Sequence, residues 1–219
     1  MECYKCNKSA VIDLKYLQPL CNKCFCEVIE RRIRKYTRIN QAFKRGDRLL
    51  IIDELCYNLV KKIIDKLPVI ISPNKVRRYR RPQNPEKVLW LTIYMKNFTI
   101  QEVFKSSEKL KRYVKKNNIN KIVIPWTIDD SSAYFLHKVF NNFLLNEKRK
   151  YNLVKLLSGI TNTEAQIYSS IKGVPFKPNN LYPDIQIFLD SLEHIYPDTK
   201  FGLVKSKEVI SKLIFRENE

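Results

Sequence analysis

Four of the six cysteines stand in two CxxC pairs, Cys3 with Cys6 and Cys21 with Cys24, separated by 14 residues. Two-residue spacing lets both thiolates of a pair reach one ion from a tight turn, and two such knuckles complete a tetrahedral all-sulfur shell. The gap holds a short hairpin pattern in Val11-Ile12, Leu14 and Tyr16-Leu17 that would bring the knuckles together. Cys26 offers a competing pairing with Cys24. CxC spacing is less usual for a zinc knuckle, so the expected ligands are Cys3, Cys6, Cys21 and Cys24, with structural zinc as the expected ion and iron as the alternative. A shell of four protein ligands leaves no position for water, so the ion would supply folding energy to a segment too small for its own core. Cys56 lies alone on a predicted helix and reads as a buried small hydrophobe.

Other chemistry-bearing patterns are sparse. The only histidines, His137 and His194, have no Cys or second His at helical spacing, so neither makes a convincing metal site. Four scattered glycines, at 46, 159, 173 and 202, forbid a P-loop, GxGxxG or GxSxG motif. Asp129 and Asp130 open the one compact polar cluster after a predicted strand. They could bind magnesium, but capping the following helix is the plainer account. No cysteine follows Cys56, so no complete catalytic set is visible.

The charge is the stronger signal. With 41 Lys and Arg against 22 Asp and Glu, the chain carries +19, which favours a polyanionic partner because neutralising phosphates releases counterions. Arg31, Arg32, Arg34, Lys35 and Arg38 occupy one face of a predicted helix whose other face holds Val28, Ile29, Ile33, Tyr36, Ile39 and Phe43. Arg77, Arg78, Arg80 and Arg81 surround Tyr79 in a proline-bearing stretch expected to be an exposed loop. Arginines around an aromatic can hold phosphates and stack a base. Both groups are candidate RNA contacts. No apolar run is long enough to span a bilayer and MECYKC has no leader-like pattern, so the expectation is a cytoplasmic protein without a membrane partner.

These residues need a scaffold. Apolar runs at 49–52, 68–72, 88–93, 121–125 and 152–157 read as strands, with helical patterns at 55–66, 101–117, 130–146 and 162–172. Continuously apolar strands alternating with amphipathic helices predict an α/β fold, a parallel sheet covered on both faces. Thr161 with Glu164 signals a helix start, and Gly173 before Pro175 signals its end. A helix over 184–195 and a last amphipathic segment form a helical C-terminal tail. The expected organisation is a zinc-binding module over 1–26, a basic connecting helix over 27–45 and an α/β domain over 46–219. In that domain GDRLLIIDELCYNLVKKII resembles the opening strand and helix of a nucleotide-binding sheet, with Asp53-Glu54 where a phosphate loop would carry glycines.

Taken together, the CxxC module, ERRIRKYTRIN and GDRLLII resemble the start of the tRNA 2-thiolation enzymes of the N-type ATP pyrophosphatase superfamily. NKIVIPWTIDDSSAYFL resembles the family stretch with paired aspartates, NLVKLLSGITNTEAQIYSSIKGVPF its Arg-Pro-Leu and Gly-hydrophobic-Pro segment, and YPDIQIFLDSLEHIYPDTKFGLVKS its last helix before a Pro-Gly-Thr-Lys-like turn. The resemblance implies a PP-loop ATPase-like (adenine nucleotide alpha hydrolase-like) domain. The departures from the pattern are concerted. Asp53-Glu54-Leu55 replaces the family's Ser-Gly-Gly-x-Asp-Ser, and two carboxylates would repel a pyrophosphate. Trp126-Thr127 replaces a His-Asn, Lys155-Leu156-Leu157 replaces the Arg-Pro-Leu, and the middle catalytic and cluster-binding cysteines are missing. The chain is therefore similar to the second, non-catalytic subunit of the cytosolic tRNA 2-thiolation complex. That similarity implies a degenerate nucleotide loop with neither ATP nor an iron-sulfur cluster, and no catalytic residue of its own. It also implies tRNA and an active thiolase paralogue as partners, with a ubiquitin-like sulfur carrier reached through the paralogue. Two rival expectations are a self-sufficient ATP-dependent tRNA modifier built around Asp129 and Asp130, and a zinc-ribbon nucleic-acid-binding regulator unrelated to thiolation.

Overall fold

The structure, a computed structural model, describes residues 1–44, 46–64, 70–72, 91–94, 98–141 and 151–216. An antiparallel hairpin, β1 (Ile12–Leu14) and β2 (Leu17–Leu20), joins the two cysteine knuckles. It leads into α1 (Asn22–Ile39), which begins inside the second knuckle. Then follow β3 (Arg48–Ile51), α2 (Glu54–Ile64), β4 (Ile70–Ser72), β5 (Leu91–Tyr94), α3 (Ile100–Lys105), α4 (Glu108–Lys116), β6 (Lys121–Ile124) and α5 (Ile128–Phe140). The chain ends with β7 (Leu153–Lys155), α6 (Asn162–Lys172), α7 (Pro183–Ile195) and α8 (Thr199–Arg216). The expected loop around Arg77, Arg78, Tyr79, Arg80 and Arg81 lies outside the described residues.

β3 to β7 form one five-stranded sheet in the order β4-β5-β3-β6-β7, with every neighbouring pair parallel. Side chains alternate across a strand, so an unbroken apolar run supplies both faces at once. Leu49 and Ile51 of β3 and Val123 of β6 join a cluster with Phe25, Ile29 and Ile33 of α1, Leu55 and Leu59 of α2, and Ala165 of α6. Leu50, Ile122 and Ile124 face the other way, against Ile100 and Val103 of α3 and Leu110 of α4. The first cluster also takes in Cys3, Ile12 and Leu20, so the knuckles and the sheet share one continuous core.

Local chemistry corrects the expected boundaries at two helices. The pattern over 101–117 is two helices, because Ser106 adopts a left-handed φ of 51° and the hydroxyl of Ser107 restarts a helix by accepting from the N–H of Leu110. At α5 the N-cap is Thr127, not an aspartate. Its hydroxyl accepts from the N–H of Asp130, and the Asp130 carboxylate accepts from the N–H of Thr127 in return. Thr161 and Glu164 form the expected capping box at α6, and Gly173 closes that helix at φ 63°.

Candidate functional site

The knuckles converge as their spacing requires. The Sγ atoms of Cys3, Cys6, Cys21 and Cys24 all lie within 4.8 Å of one another, and those of Cys6 and Cys21 are 3.6 Å apart. A tetrahedral four-thiolate shell with metal–sulfur bonds of about 2.3 Å has sulfur–sulfur edges of ~3.8 Å, so the cluster fits one metal ion. Burial disfavours a thiolate on Cys3, but backbone N–H groups of Cys21, Lys5 and Cys6 outweigh it and bring the thiol down to about 6. Cys26 is outside the cluster, on the buried face of α1 in the core.

The sheet has a second place of interest. β4 and β5 lie to one side of β3, and β6 and β7 to the other, so the chain reverses its direction of growth between β3 and β6. Open α/β sheets bind ligands outside the carboxyl ends of the strands at such a switch point. Here the carboxyl end of β3 runs directly into α2 through Ile52 and Asp53. Asp53 Oδ1 accepts from the N–H of Cys56 at 2.8 Å. The protein's own carboxylate therefore sits where a helix N-terminus would otherwise present its N–H groups to a phosphate. Burial raises the pKa of Asp53, opposed by these N–H groups.

The carboxyl end of β6 is filled by aromatic and ion-paired side chains. Trp126 is fully buried, with Phe104 at 5.1 Å and Tyr134 at 5.7 Å between ring centroids. The Lys155 ammonium, from the end of β7, lies 4.4 Å from the Trp126 ring centre. Asp129 accepts from Lys200 Nζ at 2.6 Å and from the N–H of Asn162 at 2.7 Å. Asp190 is a second carboxylate on Lys200. Asp130 accepts from Thr127 and from Asn179 Nδ2. Burial nevertheless pushes its pKa up to about 6. Both aspartates of the sequence pair thus have structural partners. Spacing gave no signal for Lys200 or Asn179, which lie 71 and 49 residues from their carboxylates. The one hint was the family-like turn ending at Lys200.

The basic helix divides by role. Arg31, Arg34, Lys35 and Arg38 are exposed along α1. Arg34 also reaches Glu30 at 3.4 Å. Arg32 instead donates to the buried Glu164 of α6 at 2.6 Å and fixes α1 against the sheet domain. α1 packs close to Gly159, where a Cβ would meet the Arg32 carbonyl oxygen at 3.7 Å, an ordinary van der Waals contact.

No family model matches the chain, and no curated protein matches it in sequence. Among solved structures it is similar to the U34-tRNA thiolase NcsA from Methanococcus maripaludis, determined with its 4Fe–4S cluster. The match has a TM-score of 0.67 at 15% identity and covers 96% of this chain and 87% of that one. The chain has the fold of this thiolase. At that identity the likeness concerns architecture, and it spans the cysteine module, the sheet and the C-terminal helices together. No described helix is long and apolar enough to cross a membrane.

Proposed function

We propose that the chain is a catalytically inert, tRNA-binding subunit of a wobble-uridine 2-thiolation complex. It docks an active ATP-dependent thiolase paralogue and enlarges the tRNA platform, while the paralogue activates the uridine and receives sulfur. The observation that carries this reading is the junction of β3 and α2. A thiolase-like sheet here meets its helix through a capping carboxylate, Asp53, in place of a glycine-rich phosphate loop. The buried Trp126 at the neighbouring strand end, packed by Phe104 and Tyr134, supports it by occupying space a substrate would need. Zinc held by Cys3, Cys6, Cys21 and Cys24 is structural in this reading. The exposed Arg31, Arg34, Lys35 and Arg38 supply RNA contacts, joined by the arginines at 77, 78, 80 and 81.

The test is reconstitution. The purified chain, a thiolase paralogue with an intact Ser-Gly-Gly-x-Asp-Ser loop, and both together are assayed for ATP turnover and for 2-thiouridine in tRNA. The chain alone is expected to hydrolyse no ATP and the pair to thiolate better than the paralogue alone. ATP turnover by the isolated chain would revive the self-sufficient enzyme. Tight nucleic-acid binding with no effect on the paralogue would favour a regulator.

A further inference from the structure

Charge is distributed unevenly along the sequence. From Pro178 to Thr199 there is no Lys or Arg, in a chain that has 41, while Asp184, Asp190, Glu193 and Asp198 all fall in this stretch. It contains α7, which packs through Leu189 against its neighbours α5 and α8. Asp184, Ile187, Phe188, Ser191 and Ile195 recur at helical spacing and form an outward face. Ile187 is 65% exposed, Phe188 50% and Ile195 65%, and Tyr196 just beyond the helix is 65% exposed. Single exposed apolar residues are ordinary, but four on one helix and its end make a patch.

The surrounding charge selects the occupant. Asp190 is paired with Lys200, but Asp184 and Asp198 would repel a phosphate backbone, so the patch is unsuited to the RNA that the rest of the surface favours. A symmetric second copy would bring the same acidic rim against itself. We infer that the outer face of α7 docks a protein partner presenting an apolar hollow rimmed by Lys and Arg. In the complex proposed above, on which this inference rests, that partner is the thiolase paralogue. RNA and protein would then bind different parts of one molecule. The exposed basic residues of α1 would take the tRNA, and α7 would take the partner. Aromatic and aliphatic anchors within a polar rim are the usual anatomy of such an interface.

The test uses the full chain and the purified paralogue. Ile187→Asp with Phe188→Asp is expected to weaken the complex at least tenfold in sedimentation or calorimetry, with unchanged helical circular dichroism and unchanged tRNA binding by the chain alone. Asp184→Asn is expected to weaken it less and to reduce its sensitivity to salt. A photo-crosslinking residue at Phe188 is expected to capture the paralogue, and one at the more exposed Val11 is not. A complex of undiminished affinity with the double variant overturns the α7 surface and leaves the proposed function standing. Failure of the unaltered chain to bind the paralogue at all overturns both. Self-association abolished by the double variant overturns the inference in favour of a second copy.

Discussion

Asp130 combines opposing demands in one side chain. It closes the capping box of α5 and accepts from Asn179, yet it is 2% exposed and sits beside Asp129. Burial dominates and its pKa rises to about 6, against about 3.9 in an unfolded chain. A raised carboxylate pKa means that the folded state holds the proton more tightly. Its contribution to stability is therefore full below about pH 4, declines as pH rises and is lost above about pH 6. Asp130→Asn keeps an acceptor for Thr127 and removes the ionisation. The variant is expected to be more stable than the parent at pH 7.5 by on the order of 2 kcal/mol, with the difference vanishing near pH 4. Urea denaturation of both proteins across that range measures it. A difference independent of pH would show that the carboxylate is not strained by burial.

Helices and strands are held together by pairs of which α1 gives the clearest example. Arg32 and its neighbours look alike in sequence, but only Arg32 reaches across to Glu164, and its partner is buried. Arg32→Ala is expected to destabilise the protein by about 3 kcal/mol, because it leaves a carboxylate uncompensated in the core. Arg31, Lys35 and Arg38 changed together to Ala should leave chemical stability nearly unaltered. They should lower the slope of log K against log salt for tRNA binding by about 2, at ~0.7–0.9 per lost phosphate contact. Equal stability losses in the two variants would remove the distinction. The same logic applies to Lys200, which ties Asp129 on α5 to Asp190 on α7. Lys200→Met should cost about 3 kcal/mol in denaturant unfolding, and adding Asp129→Asn should recover part of that. Such ties also mark where sequence stopped being informative. Strands β3 and β6 were legible because a doubly covered strand has to be apolar throughout, and α6 was legible from Thr161, Glu164 and Gly173. The break at Ser106 was not, since a serine seldom takes a left-handed φ and nothing in its spacing announces it. The pairs Arg32–Glu164 and Asp129–Lys200 join residues 132 and 71 apart, and periodicity carries no information at that range.

At the scale of the whole molecule, the cysteine module was legible as chemistry before it was legible as architecture. Its spacing picked out the four cysteines that converge, but nothing in CxxC spacing says what the module leans on. It is built into the rest of the protein. Tyr16, at the hairpin turn, shares a 2.8 Å hydrogen bond with Thr161 Oγ1 at the cap of α6, and its ring lies 6.1 Å from that of Phe201 in α8. Lys15 Nζ reaches the His194 carbonyl oxygen at the end of α7. Cys21 is the N-cap, and Cys24 lies in the first turn, of the helix whose Phe25, Ile29 and Ile33 are completely buried in the shared core. Metal binding in small modules is folding energy, so removing the ion releases the knuckles and the hairpin that rests on them. Here the effect should spread along these contacts. Chelation is expected to raise amide exchange over residues 1–39 and also around 161–165 and 199–203, and to lower helical circular dichroism by more than a 26-residue module could account for. Cys24→Ser should behave as a partly chelated protein without any chelator. Hydrogen exchange followed by mass spectrometry separates the alternatives. Faster exchange confined to residues 1–26 would mean the module is an independent appendage. Spread into α6 and the start of α8 would mean that the metal stabilises the fold as a whole, and under the proposed function loss of the ion should then also weaken tRNA binding.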